Sequence, residues 1–173
     1  MRNNGFTLID LITTLSVLAI ILAIGLPNLS SYIQQTRVET ATNSLLEAIQ
    51  LTRIQAVSSS KRATLRKQNE WNDGWEIFID QDNNGLRGSN ETIVLQRDKL
   101  TGVRIKANRP IKNYVSYIST GESRNASGTN GGGFQAGTFT VCPTAKGKGV
   151  ELILARGGRV RVVEISEEKC NLV

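Results

Sequence analysis

The side chains of this 173-residue chain that are able to do chemistry fall into three groups, and one common reagent is missing. There is no histidine, which removes the commonest general base, the Ser-His-Asp arrangement and most zinc sites. The first group is Asp80-x-Asp82-x-Asn84-Gly85 followed after five residues by Glu91. That spacing is the pattern of a twelve-residue calcium loop, in which alternate oxygens and a distal Glu surround one hard cation. Two features oppose it: a strand pattern, not a helix, precedes the loop, and Arg87 lies inside it. Asp, Asn and Gly are also what any strand connection uses. A plain turn is the reading adopted and no metal is assigned; calcium at Asp80, Asp82, Asn84 and Glu91 is the alternative.

The second group is basic. The formal net charge is +6, and all of it resides on residues 30–173, because Arg2 and Asp10 are the charges before them and cancel. Lysines and arginines gather three times: Lys61, Arg62, Arg66 and Lys67; then Arg97, Lys99, Arg104, Lys106, Arg109 and Lys112; then Lys146, Lys148, Arg156, Arg159 and Arg161. In Gly158-Arg159-Val160-Arg161-Val162, strand alternation predicts Val160 and Val162 in the core and both arginines outward, about 6.6 Å apart. That is close to two steps of ~3.4 Å along one nucleic-acid strand. Guanidinium forks bind phosphate oxygens without reading sequence. A phosphate-bearing polyanion is the partner these residues suggest, through Arg159 and Arg161 helped by Arg156, Lys148 and Lys146. The alternative is a solvated strand face whose arginines are balanced by Glu164, Glu167 and Glu168. The third group is Cys142 and Cys170, too far apart for a metal knuckle or a CxxC redox motif. If that part of the chain lies in an oxidising compartment they form a structural disulfide; otherwise they are two buried thiols.

These groups need elements to hold them. From Phe6 to Leu26 the chain reads FTLIDLITTLSVLAIILAIGL, with Asp10 its one charge, long enough at 1.5 Å per residue to span a hydrocarbon core of roughly 30 Å. After Pro27, Leu29, Ile33, Val38, Leu45, Ile49 and Ala56 recur at helical spacing among polar residues, predicting an amphipathic helix that ends at Ser58-Ser59-Ser60 and the basic turn Lys61-Arg62. Short apolar runs then predict antiparallel strands at 75–79, 92–95, 103–105, 114–118, 138–141, 150–154 and 160–165. Gly121 to Gly133 is predicted to be a mobile polar loop without core residues.

The opening MRNNG followed by Phe-Thr-Leu-Ile-Asp-Leu strongly resembles the type IV prepilin signature. The resemblance implies cleavage after Gly5 by prepilin peptidase, N-methylation of Phe6, and a helix-bending proline at Pro27. It also gives a role to Asp10, which stands where the family usually has Glu. An ionised carboxylate in hydrocarbon costs at least ~2.5 kcal/mol and needs a partner; the resemblance supplies the amino group of a neighbouring subunit's Phe6. The run Gly74-Trp75-Glu76-Ile77-Phe78-Ile79-Asp80 followed by Asp82, Asn84 and Gly85 looks like the GspH/FimT group of minor pilins and pseudopilins. GRVR at 158–161 is similar to the C-terminal GRxR motif of the FimT branch, which binds DNA during natural transformation.

The expected fold is therefore α+β, a type IV pilin fold with a long N-terminal helix packed on antiparallel sheets. Residues 1–5 are the leader, 6–29 a transmembrane and filament-core helix, 30–60 its amphipathic continuation and 61–173 a β-rich periplasmic domain. The expected partners are other pilins through the N-terminal helix, DNA, the inner membrane and prepilin peptidase, with no cofactor and no catalysis. A type II secretion pseudopilin with an assembly role is the rival within the class. A membrane-anchored periplasmic enzyme is the rival outside it, and it lacks histidine, a GxSxG motif and a convincing carboxylate pair.

Overall fold

A computed structural model describes residues 8–129 and 131–172, and of residues 24–28 the backbone alone. The expected peptidase site at Gly5 and Phe6 lies outside these residues. Within them, α1 (Leu8–Ser59) leads eight strands: β1 (Ala63–Lys67), β2 (Trp75–Ile79), β3 (Ile93–Arg97), β4 (Val103–Ala107), β5 (Tyr114–Tyr117), β6 (Gly137–Pro143), β7 (Gly149–Leu154) and β8 (Val160–Ile165). A short helix, α2 (Glu167–Asn171), follows. The strands make two sheets, sheet A in the order β3-β2-β1-β5 and sheet B in the order β4-β6-β7-β8. Every pairing in both is antiparallel.

α1 meets two environments along its length. From Val38 to Ala56 it buries Val38, Ala41, Thr42, Leu45, Ala48, Ile49, Thr52 and Ala56, the i, i+3, i+4, i+7 recurrence that makes one face of a helix. This face closes a single apolar cluster with Ala63, Leu65, Ile77, Val115 and Tyr117 of sheet A and Ile105, Phe139, Val141, Leu152 and Leu154 of sheet B. The stripe predicted from Leu29 starts later than expected: Leu29 and Ile33 stay exposed, because the sheets begin to cover the helix only at Val38. From Leu8 to Ala23 every side chain is exposed and most are apolar. The hydroxyls there turn inward, Thr13 Oγ1 donating to Asp10 O, Thr14 Oγ1 to Leu11 O and Ser16 Oγ to Ile12 O. Among the described residues no helix is long and apolar enough to cross a membrane; the apolar run includes Phe6, Thr7 and the side chains of residues 24–26, which lie outside that description.

β1 was not legible in the sequence because its two apolar residues, Ala63 and Leu65, alternate with Thr64 and Arg66 directly after the supposed basic turn. Arg62 is not a surface base. It is buried against the outer side of sheet A, where Nε donates to Asn83 Oδ1 (3.0 Å), Nη1 to Ser116 Oγ (2.7 Å) and to Arg124 O (2.8 Å), and Nη2 to Thr129 O (3.0 Å). Burial lowers its pKa, opposed by the nearby charge of Asp80. The 121–133 segment also departs from the expectation. It buries Gly121 and Ser123 and forms bridges Tyr117 to Ser123 and Arg124 to Phe134. With Arg62 holding two of its carbonyls, the segment is anchored at several points.

α2 was also missed, since its charged residues read as a polar tail. Ser166 caps it, accepting from Lys169 N, and Cys170 is bonded to Cys142 on β6. Ile165 packs with the two cysteines, while Lys169 Nζ reaches Glu151 Oε1 at 2.8 Å. Gly149, opening β7, leaves the sulfur atoms their room: a Cβ there would overlap Cys170 Sγ and lie 2.6 Å from Val141 O. The bond spans 28 residues of sequence, so by chain entropy it stabilises the domain by about 3 to 4 kcal/mol. Replacing both cysteines with Ser should lower the denaturation free energy of the full-length protein by that amount, with addition of reductant to the parent protein giving the same loss.

Candidate nucleic-acid interface

The turn between β7 and β8 is set by Gly158. Its φ is +79°, a region costing L residues roughly 1–2 kcal/mol. A Cβ there would stand 2.6 Å from both Gly121 O and Tyr117 Cε1. Gly158 N donates to Ala155 O (2.8 Å) and Ala155 N to Arg159 O (2.9 Å), closing the turn. Gly158 O accepts from the buried Tyr117 hydroxyl at 3.0 Å, and burial pushes the Tyr117 pKa up. The glycine is thus required both by backbone conformation and by contact, and it fixes where the chain enters β8.

From that turn Arg156, Arg159 and Arg161 project exposed. Arg161 is registered opposite Ile153. The sequence reading missed a fourth base: Arg53 of α1, whose Nη2 approaches Gly157 O at 3.4 Å. No local pattern marks it, because only tertiary packing brings the helix beside the turn. Between them lies a groove of about 440 Å³ lined by Ile49, Gln50, Arg53 and Ile54 of α1 and by Tyr117, Gly158, Arg159 and Val160. Glu122, brought to this end by the Gly121 turn, is taken up by Arg124, whose Nε and Nη2 donate to Glu122 Oε2 at 3.1 and 3.0 Å.

Two expectations about this region need correction. Val160 packs on the core, but Val162 is 48% exposed. It shares the face of its partner Leu152, yet β8 is the edge strand, and the buried stripe of α1 does not extend over it. Lys146 and Lys148 do not join the arginines. They lie in the β6–β7 turn, separated from Arg156 by the six residues of β7, roughly 20 Å. Glu164, Glu167 and Glu168 sit at that far end of β8 too, so they do not balance Arg159 and Arg161.

Several members of the other groups are absorbed by structure, while Arg104 and Lys106 stay exposed. Arg66 Nη1 donates to Gly85 O, Lys67 pairs with Glu70, and Lys99 with Asp73. In the acidic loop, carboxylate oxygens of Asp80, Asp82 and Glu91 come within 4.8 Å of one another. Donors of the chain itself also reach these oxygens. Asp80 is buried and accepts from Thr64 Oγ1 and Gly85 N at Oδ2 and from Asn84 N at Oδ1. Asp82 Oδ2 accepts from Asn84 Nδ2, and Glu91 accepts from Gln81 N and Gly88 N. Asn84 Oδ1, a ligand in the calcium pattern, accepts from Leu86 N instead. Burial raises the Asp80 pKa against these donors. The residues do what turn residues do.

A long helix whose second half is packed on two antiparallel sheets is the architecture of type IV pilin-like subunits, and solved structures share it. The type IV minor pilin FimU of Pseudomonas aeruginosa, strain PAO1, is 15% identical, with 76% of this chain and 92% of that one covered and a TM-score of 0.57. The minor pseudopilin EpsH of the type 2 secretion system of Vibrio cholerae is 13% identical, with 73% and 96% covered and a TM-score of 0.52. No curated protein sequence matches this one. The family model for the type II transport protein GspH matches residues 41–158, well over half of the chain, which therefore belongs to the GspH family of pilin-like proteins. Pilins are membrane-anchored structural subunits that associate with other pilins, and are not enzymes.

Gly158→Ala should destabilise the protein by more than ~2 kcal/mol, the left-handed backbone and the overlap with Tyr117 and Gly121 acting together. Gly157→Ala, where a Cβ meets nothing within 4 Å, should change stability by less than ~0.5 kcal/mol. Urea denaturation of the two variants checks the contrast.

Proposed function

We propose that this chain is a minor type IV pilin that binds DNA non-specifically by its phosphate backbone and assists DNA uptake in natural transformation. The observation that carries the reading is the Gly158 turn, which presents Arg159 and Arg161 exposed on one face with Arg156 and Arg53 beside them. Arginines so placed hold phosphate oxygens by paired donors while reading no base edge. In this proposal, prepilin peptidase removes residues 1–5, Phe6 is methylated, and the helix of residues 6–29 sits in the bacterial inner membrane and later in the filament. Residues 61–173 then lie in the periplasm or on the pilus. The all-round apolar exposure of α1 from Leu8 to Ala23 supports this, since such a helix belongs in a lipid or protein interior. Asp10 would pair with the Phe6 amine of a neighbouring pilin.

A second reading, a type II secretion pseudopilin with an assembly role, is favoured by the description of the matching family and by the likeness to EpsH. That family match ends at residue 158, so Arg159 and Arg161 lie beyond it. The two readings separate on what those arginines do.

Intact-mass measurement on protein extracted from membranes should show a chain beginning at Phe6 and carrying one added methyl group. A chain beginning at Met1, or beyond Pro27, would sink the pilin assembly scheme.

Full-length protein in non-ionic detergent should bind duplex DNA with a dissociation constant in the micromolar range or weaker, without sequence preference. With three to five phosphates neutralised, the slope of log affinity against log salt should be about −3 to −4.5. Arg159→Gln with Arg161→Gln should remove most of the binding and of DNA uptake while leaving pilus assembly intact. Unchanged binding in that variant would refute the assigned site, and no binding by the parent protein at low salt would favour the secretion reading.

A further inference from the structure

β4 and β8 are the two edge strands of sheet B, and each carries a pair of bases two residues apart: Arg104 and Lys106 on β4, Arg159 and Arg161 at β8. Register relates the pairs. Lys106 is opposite Thr140, Thr140 opposite Glu151, and Glu151 opposite Val163; one step along, Thr138 faces Ile153 and Ile153 faces Arg161. Residues directly opposite in an antiparallel pair share a face. Arg104, Lys106 and Arg161 therefore project on the same outer side, away from Ile105, Val141 and Leu152 in the core. All three are exposed.

The surface between them is compatible with a polyanion. Glu151 on it is held by Lys169 Nζ at 2.8 Å, and α2, tied to the same face by Cys170 to Cys142 opposite Arg104, borders it with Glu167 and Glu168. Lys106, Asn108, Thr138, Thr140 and Lys169 line, with Glu151, a polar groove of about 450 Å³. Across three strand spacings of ~4.8 Å and one two-residue step, Lys106 and Arg161 are about 16 Å apart, close to five rise steps of a nucleic-acid strand at ~3.4 Å each. The Lys146 and Lys148 turn lies at the Arg104 end of the same sheet.

We infer that the outer face of sheet B is one diagonal track for duplex DNA, anchored at a second place by Arg104 and Lys106. This rests on the DNA reading above and extends it from one hairpin to the whole sheet. The occupant is a duplex because the described residues of this face include no aromatic ring, so unpaired bases have nothing to stack on and the contact must be to phosphates.

The test uses full-length protein in non-ionic detergent and a short duplex. Arg104→Gln with Lys106→Gln should weaken binding and make the salt slope shallower by about 1.8, the loss of two phosphate contacts. Arg104→Lys with Lys106→Arg should keep the parent slope. Should the double Gln variant melt early, Lys106→Gln alone, expected to shift the slope by about 0.9, decides. An unchanged slope in these variants, with binding still lost in Arg159→Gln/Arg161→Gln, overturns the track and leaves the hairpin site standing. Tighter binding of the same sequence as a single strand also overturns the track. Failure of the parent protein to bind DNA at all takes down both the track and the reading beneath it.

Discussion

Burial of one face of α1 between Val38 and Ala56 is the contact on which both sheets depend. Each sheet is antiparallel and presents one apolar face, and a sheet with an uncovered apolar face is not stable in water. Here one helix covers both. Val38, Leu45 and Ile49 are almost fully buried, each contributing roughly 1.5–3 kcal/mol. Ala41, Ala48 and Ala56 between them are small enough to let the strands approach. Trp71 then locks sheet B to this core from the side, meeting Phe139 edge to face at 4.8 Å. The same helix, continued toward Leu8, carries a surface that suits no aqueous environment. The domain and the apolar segment thus share one continuous helix, and Arg53 on that helix approaches the turn that carries the candidate arginines.

The outer side of sheet A solves its covering problem differently. Phe78, Thr64 and Ser116 on this side are fully buried, yet no helix of the described residues lies over them. Loops do the covering, and they bring polar groups that must be satisfied. Arg62, Asp80, Thr64, Ser116 and Gln135 form the resulting network: Asp80 caps its own loop, Ser116 N donates to Gln135 Oε1, and Arg62 ties two loops to one strand. A charge surrounded by this many acceptors is tolerable in a buried position, whereas the same arginine without them is not.

What was legible in the sequence follows from which forces are local. The strands at 75–79 and 160–165 have the boundaries their alternation predicts, and the helix ends at its serine run. β1 was hidden because Arg62 reads as surface until its four acceptors are known. Val162 has the right parity for the core, but parity says nothing about whether a strand is at an edge. The acidic loop was legible as a cluster of oxygens, and what the sequence did not show is that backbone amides of the same loop donate to them. For the candidate site, Gly158, Arg159 and Arg161 were visible as a motif. Arg53 was not, and Lys146 and Lys148 were near in sequence while β7 carries them to the other end of the sheet. Proximity along a hairpin predicts proximity in space only at its turn.

Arg62 grips the 121–133 segment by the carbonyl oxygens of Arg124 and Thr129, atoms that every amino acid possesses. A path fixed through main-chain atoms places little demand on the identity of the side chains it carries. The exposed positions of this segment therefore do little to set its course over the sheet. Gly121 with its positive φ, Gly132, whose Cβ would overlap Asn125 O, and the buried Ser123 and Arg62 each hold it in place.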